Sequence, residues 1–150
     1  VRSPRFSDRC LNAKADAACA LLGGGYLLLY DGARPESADD LVDQAEEEVP
    51  LAVVRLRSPA FQPANHGRAT ARAVESVPGL RSGAPTWFRA VTKLGEAVFD
   101  GTCGPAPIIE LGEAVFDGAR GEEFDMYVNG EIEVDGEVRV LRLVYAESRG

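Results

Sequence analysis

The run Thr86-Trp87-Phe88-Arg89-Ala90-Val91-Thr92, followed by Lys93-Leu94-Gly95 and Glu96-Ala97-Val98-Phe99, decides the fold class. Period two sorts its side chains. Trp87 and Val91 fall on one face, Phe88 and Ala90 on the other, which is the spacing of a strand. Gly95 supplies a turn, and Glu96–Phe99 is expected to pair back across Lys93–Gly95. Trp87 and Phe88 then read as core or interface aromatics on opposite faces. Arg89 shares the face of Trp87 and is expected to stack or pair within the fold.

Working outward, the same kind of segment recurs. Tyr26-Leu27-Leu28-Leu29-Tyr30 is short and apolar, and Asp31-Gly32 closes it. Leu51 to Arg57 alternates from Val54 onward, with Val54 and Leu56 inward and Arg55 and Arg57 outward. Ser58 to Gly67 is a loop rich in breakers, Ala69 to Val77 reads as a further strand, and Pro78 to Pro85 as loop. Phe124–Val128, Glu131–Val134 and Glu137–Tyr145 complete the set. Asp135-Gly136 gives the best hairpin signal, because a type I′ turn needs positive φ at both central residues. The apolar phase slips between Val140 and Leu141, which predicts a bulge or burial of both faces.

One segment has helical spacing. Ser7 is placed to cap it and Asp8 to meet the helix dipole. Leu11, Ala15, Ala18 and Leu22 form its apolar stripe, and Gly23-Gly24-Gly25 ends it. Asp39 to Glu48 reads as a short solvated helix or a loop. One helix (7–22) and six to nine strands predict a mainly β single domain over 1–150. Its architecture is a sandwich or jelly-roll-like barrel with an N-terminal helix and an inserted β-hairpin or arm.

The insertion comes from a repeat. Leu94-Gly95-Glu96-Ala97-Val98-Phe99-Asp100-Gly101 recurs as Leu111-Gly112-Glu113-Ala114-Val115-Phe116-Asp117-Gly118. A period of 17 is too short and too isolated for a solenoid. A local duplication over about residues 105–121 is expected to project from the core or to pair at a sheet edge.

Composition narrows the function classes. The chain has 150 residues, 16 Lys+Arg against 24 Asp+Glu, and a net charge of −8. That balance opposes direct nucleic-acid binding, which needs cations to displace counterions. No apolar run approaches the roughly 18 residues that span a bilayer, and no basic segment leads into an apolar one at the start, so neither a membrane nor a secretory route is expected. Charge is segregated, however. Residues 51–100 carry 7 basic and 3 acidic side chains, inside an acidic protein. This points to solvated faces or to a basic patch that docks on an acidic neighbour.

Chemistry-bearing residues are sparse. Cys10 and Cys19 lie nine apart, on opposite faces of a helix, and with Cys103 make an odd, CxxC-free set. No disulfide framework or zinc site follows. A Cys103/His66/Asp100 hydrolase can be drawn, but no nucleophile elbow or flanking motif accompanies it, and His66 reads as a surface-loop residue. The acidic run Asp39, Asp40, Asp43, Glu46, Glu47 and Glu48 lacks the spacing of a calcium loop. The glycine triplet follows a helix and precedes a strand, the reverse of a phosphate cradle. No metal or cofactor is expected.

The order of these signals resembles a group of small virion structural proteins of tailed bacteriophages. The likeness is carried by the Ala-rich helix, the strand into Tyr30-Asp31-Gly32 with Pro35 beyond, Leu51 to Leu56, and Ser58-Pro59-Ala60-Phe61. It continues through Gly67, Ala69, Thr70 and Ala71, then Thr86-Trp87-Phe88-Arg89, Val98-Phe99-Asp100-Gly101, Gly104 and the ending Phe124 to Tyr145. Residues 105–121 and the long acidic stretch depart from that pattern. The resemblance implies a non-enzymatic subunit located in the virion and made in the bacterial cytoplasm. It would be a capsid decoration or cement protein, partnered by the major capsid protein or other virion subunits and by copies of itself. A neck or tail subunit is the alternative; a small β-rich binding module or hydrolase is the alternative of another class. The expected contact residues are the arm residues Ile108, Ile109, Val115 and Phe116, and Arg55, Arg57, Arg68 and Arg72.

Overall fold

The computed structural model describes residues 4–40, 49–106, 109–110, 113–114 and 124–147. In chain order the elements are α1 (Asp8–Ala20), β1 (Tyr26–Tyr30), β2 (Ala52–Arg55), β3 (Arg68–Thr70), β4 (Val77–Pro78) and β5 (Trp87–Val91). Then come β6 (Ala97–Pro105), β7 (Ile109–Glu110), β8 (Glu113–Ala114), β9 (Met126–Val128), β10 (Glu137–Val138) and β11 (Val140–Ala146).

The architecture is mainly β with one N-terminal helix, as expected. Seven strands form one sheet in the order β2-β1-β5-β6-β9-β11-β3, and β4 pairs with β10. The inner residues Leu27 and Leu29 of β1, Phe88 and Ala90 of β5, Met126 and Val128 of β9 and Leu143 of β11 share one core cluster. Strands that far apart in a sheet meet only if it curls around its own core. Helix α1 packs on β3 and β11. Ser7 caps it, its Oγ accepting from the Cys10 N–H at 3.2 Å. Its buried stripe is Leu11, Ala15 and Cys19; Cys19 takes the place expected of Ala18, which is only half-buried.

The β5–β6 hairpin forms as read, with Arg89 opposite Asp100 and a register shift after Ala90. All five residues of β5 are buried, however. Alternation predicts two faces and says nothing of what covers the second; here Tyr30 stacks on Trp87 with centroids 4.6 Å apart. The expected slip at Val140 is a bulge against β9.

Three turn and strand expectations are corrected. Ala69–Val77 is not one strand: β3 and β4 stand at its two ends, because Ala71 N–H turns to the Leu143 carbonyl and Arg72 N–H to that of Ala60. Glu131–Val134 makes only isolated bridges, from Ile132 to Gly83 and from Val134 to Gly79. Asp135-Gly136 does not join Val134 to Glu137 as a hairpin. Asp135 does have φ 63°, but Gly136 N–H closes the turn on the Glu133 carbonyl at 2.9 Å, and Glu137 pairs with Pro78. Distant partners outbid the local turn. The two-residue loop with positive φ at both positions is His66-Gly67, at 52° and 74°. Asn65 and Arg68 exchange both backbone hydrogen bonds across it, at 2.8 and 3.0 Å.

The duplication has a topological setting. β6 and β9 run parallel, with Cys103 beside Met126. Parallel neighbours need a crossover of roughly a dozen residues or more, and residues 106–125 supply it. Within that crossover β7 and β8 form a hairpin of their own, Ile109 opposite Ala114 and Glu110 opposite Glu113.

Candidate functional site

The three groups of the drawn hydrolase have three different sets of partners. Cys103 sits in β6 at 2% exposure, and desolvation pushes its thiol up to about 12, which opposes thiolate chemistry. Asp100 is bound to Arg89 at 2.7 and 3.0 Å. His66 occupies a turn that exposes it, its Nδ1 3.0 Å from Asp8 Oδ2. The Cys103–Asp100–His66 relay is not assembled.

Two arginine–aspartate pairs tie down the segment after β1, one from Arg81 in the loop between β4 and β5 and one from Arg89 in β5. Arg81 grips Asp31 with two bonds, at 2.7 and 3.0 Å, and donates to the Val49 carbonyl at 2.7 Å. The hydrogen bonds from Arg81 hold the Asp31 carboxyl below its ordinary value. Arg89 donates onward to the carbonyls of Asp40 (2.7 Å) and Ser37 (3.4 Å). Its guanidinium carbon lies 5.7 Å from the Trp87 ring centroid, so it pairs within the fold as read. Hydrogen bonding to Asp100 raises its already high pKa.

The four arginines expected to make contacts divide three to one. Arg55, Arg57 and Arg72 line one groove of about 440 Å³ with Leu56, Val74 and Val77; Glu75 is its one carboxylate. Arg72 is fixed by a 3.2 Å bond to the Pro59 carbonyl. Arg55 and Arg57 are exposed and form no ion pair among the described residues. Arg68 lies apart, in a cleft of about 180 Å³ with Phe124, Asp125, Tyr127 and Arg142. No periodicity in the sequence could have joined Arg68 to Arg142; the pairing of β3 with β11 does so.

Ile108, Val115 and Phe116 lie outside the described residues, as do residues 41–48 of the acidic run; Ile109 opens β7. Asp40 accepts the Ser37 N–H at 3.2 Å. Among the described residues no cluster of His, Cys, Asp and Glu could hold a metal ion. No helix among them is long and apolar enough to cross a membrane. Comparison with known protein families, curated protein sequences and solved structures gives no match.

Proposed function

We propose that this chain is a non-enzymatic structural subunit of a tailed-phage virion, a decoration protein that binds and stabilises the major capsid shell. The observation that carries this reading is the β5–β6 hairpin. The two most distinctive segments of the resemblance, Thr86–Arg89 and Val98–Gly101, lie side by side in it and are joined by the Arg89–Asp100 pair. A framework cross-linked in that way, with a hairpin set into its crossover and a basic groove at one edge, presents fixed contact area. A decoration subunit acts through such area: by binding across neighbouring shell subunits it favours the assembled state by mass action.

The test is co-sedimentation of the purified protein with expanded capsids of a tailed phage stripped of their decoration. Saturable binding, with a raised temperature of capsid disruption, is expected. Protein that stays free of capsids and co-purifies with tails overturns the decoration assignment, and protein that binds no virion particle overturns the reading as a whole.

A further inference from the structure

We propose that the groove between β2 and the chain leading into β4 is a binding site for a compact oligophosphate, held by the guanidiniums of Arg55, Arg57 and Arg72. This does not rest on the virion reading.

The backbone makes the groove. Residues 72–80 run antiparallel beside β2 and are pinned at both ends. Leu80 N–H meets the Leu51 carbonyl and Arg72 N–H that of Ala60, each at 2.8 Å, and Phe61 bridges to Ala71. That leaves no place for a further strand. Between the pins the two chains do not pair. Leu56 N–H turns to the Gly25 carbonyl at 2.8 Å, and the Arg57 carbonyl accepts from Gly24 N–H at 3.0 Å. Among the described residues no backbone hydrogen bond joins 53–57 to 73–76. The unzipped stretch opens a groove of about 440 Å³, within the size range of small-ligand sites. Walls tied at both ends need little ordering when a ligand enters.

The side chains set its charge. Alternation buries Val54 and Leu56 and leaves Arg55 and Arg57 exposed, about 6.6 Å apart along an extended chain. Neither forms an ion pair among the described residues. Arg72 comes from the opposite wall. Its Nη1 donates to the Pro59 carbonyl at 3.2 Å, which orients the group and leaves the rest of its donor fork for a ligand. Three guanidiniums thus meet one carboxylate, Glu75, while Val74 and Val77 add apolar wall.

Geometry selects among anions. Guanidinium forks match both carboxylate and phosphate. A planar carboxylate offers its oxygens in one plane, whereas a phosphoryl group spreads them tetrahedrally and accepts from both walls at once. Consecutive phosphoryl groups are needed to reach Arg55 and Arg57 together. A long polyanion is disfavoured, because it runs past the groove onto a chain whose net charge is −8. A ligand no longer than the groove stays within a Debye length, about 8 Å, of its three cations.

The experiment is a titration of the ¹⁵N-labelled full chain with inorganic triphosphate at about 0.1 M salt. Saturable amide shifts confined to residues 55–58 and 72–77 are expected. Citrate and an oligothymidylate should each bind about tenfold or more weaker. Arg55→Gln and Arg57→Gln, their folds checked by Trp87 emission, should each weaken triphosphate binding about tenfold. Arg68→Gln, in the separate cleft, should leave it unchanged. No shifts at about 1 mM triphosphate, shifts centred elsewhere, or an equal loss from Arg68→Gln would overturn the proposal. Citrate binding as tightly would reduce the groove to an unselective basic surface and overturn it too. So would an oligothymidylate binding at least as tightly, which would make the groove a site for nucleic acid.

Discussion

Arg89 and Asp100 face each other across β5 and β6 in a two-bond ion pair, with side chains only 9% and 6% exposed. The pair is also a hinge pin for the 31–40 segment, because the remaining guanidinium donors reach the carbonyls of Ser37 and Asp40. Arg89→Leu leaves the Asp100 carboxylate buried without its counter-charge, and truncations of this kind cost about 3–5 kcal/mol. Chemical denaturation should register that loss. Arg89→Leu with Asp100→Leu should recover much of it, and no recovery would mean that the bonds to Ser37 and Asp40 dominate.

Trp87 reports on the same face. It is the single tryptophan, it is buried, and its Nε1 donates to the Asp31 carbonyl at 3.2 Å. Native emission should be blue-shifted. Arg89→Leu should shift it to the red under conditions where far-ultraviolet circular dichroism is still native, since the covering segment loosens before the sheet does.

The Arg81–Asp31 pair makes a pH-dependent contribution with a defined sign. The folded Asp31 carboxyl titrates below its unfolded value. Its stabilisation is therefore present above the ordinary aspartate pKa of about 3.9 and fades as pH falls through the lower folded value. Thermal melts of Arg81→Met should show the largest deficit against the parent near neutral pH and a shrinking one in acid. A deficit independent of pH would assign Arg81 to packing alone.

Gly67 is under a double constraint. Its φ is 74°, and a Cβ there would stand 2.9 Å from the Leu11 Cβ of α1. Gly67→Ala should cost about 1–3 kcal/mol in the denaturation midpoint. His66→Asn, at the neighbouring positive φ, should stay within about 0.5 kcal/mol of the parent, because the side chain is exposed and Asn tolerates that conformation.

Thiol labelling separates the cysteines. Cys103 is enclosed and its pKa is pushed up to about 12 by desolvation, so under native conditions it should react with a disulfide reagent only at the rate of unfolding. Half-buried Cys10 should react first. Rapid native labelling of Cys103 would show an access route that this packing denies.

Several elements were legible without coordinates because they depend on neighbours in sequence. Ser7 caps α1, and Trp87 to Val91 alternate across β5; each follows from backbone geometry and side-chain period. The bulge after Val140 was visible as a phase slip for the same reason. The end of α1 was not: it stops at Ala20 with Leu21 as its cap, ahead of the glycines at 23–25 expected to end it. Asp135-Gly136 misled because turn preference is worth little once Gly79 and Pro78 offer long-range backbone partners. For the groove, the alternation of Arg55 and Arg57 was readable, but its third arginine was not separable from Arg68.

The sequence by itself determined the helix, the strands around Tyr26–Tyr30, Val54, Trp87–Val91 and the chain's last strand, and the segregation of positive charge into the middle third, since each is a local or compositional property. Only the tertiary structure decided which arginines meet, that β6 and β9 run parallel, and that both faces of β5 are covered. Those outcomes depend on contacts between residues tens of positions apart, and the free energy of such contacts is set by which surfaces the curled sheet brings within reach, a quantity that no window of sequence contains.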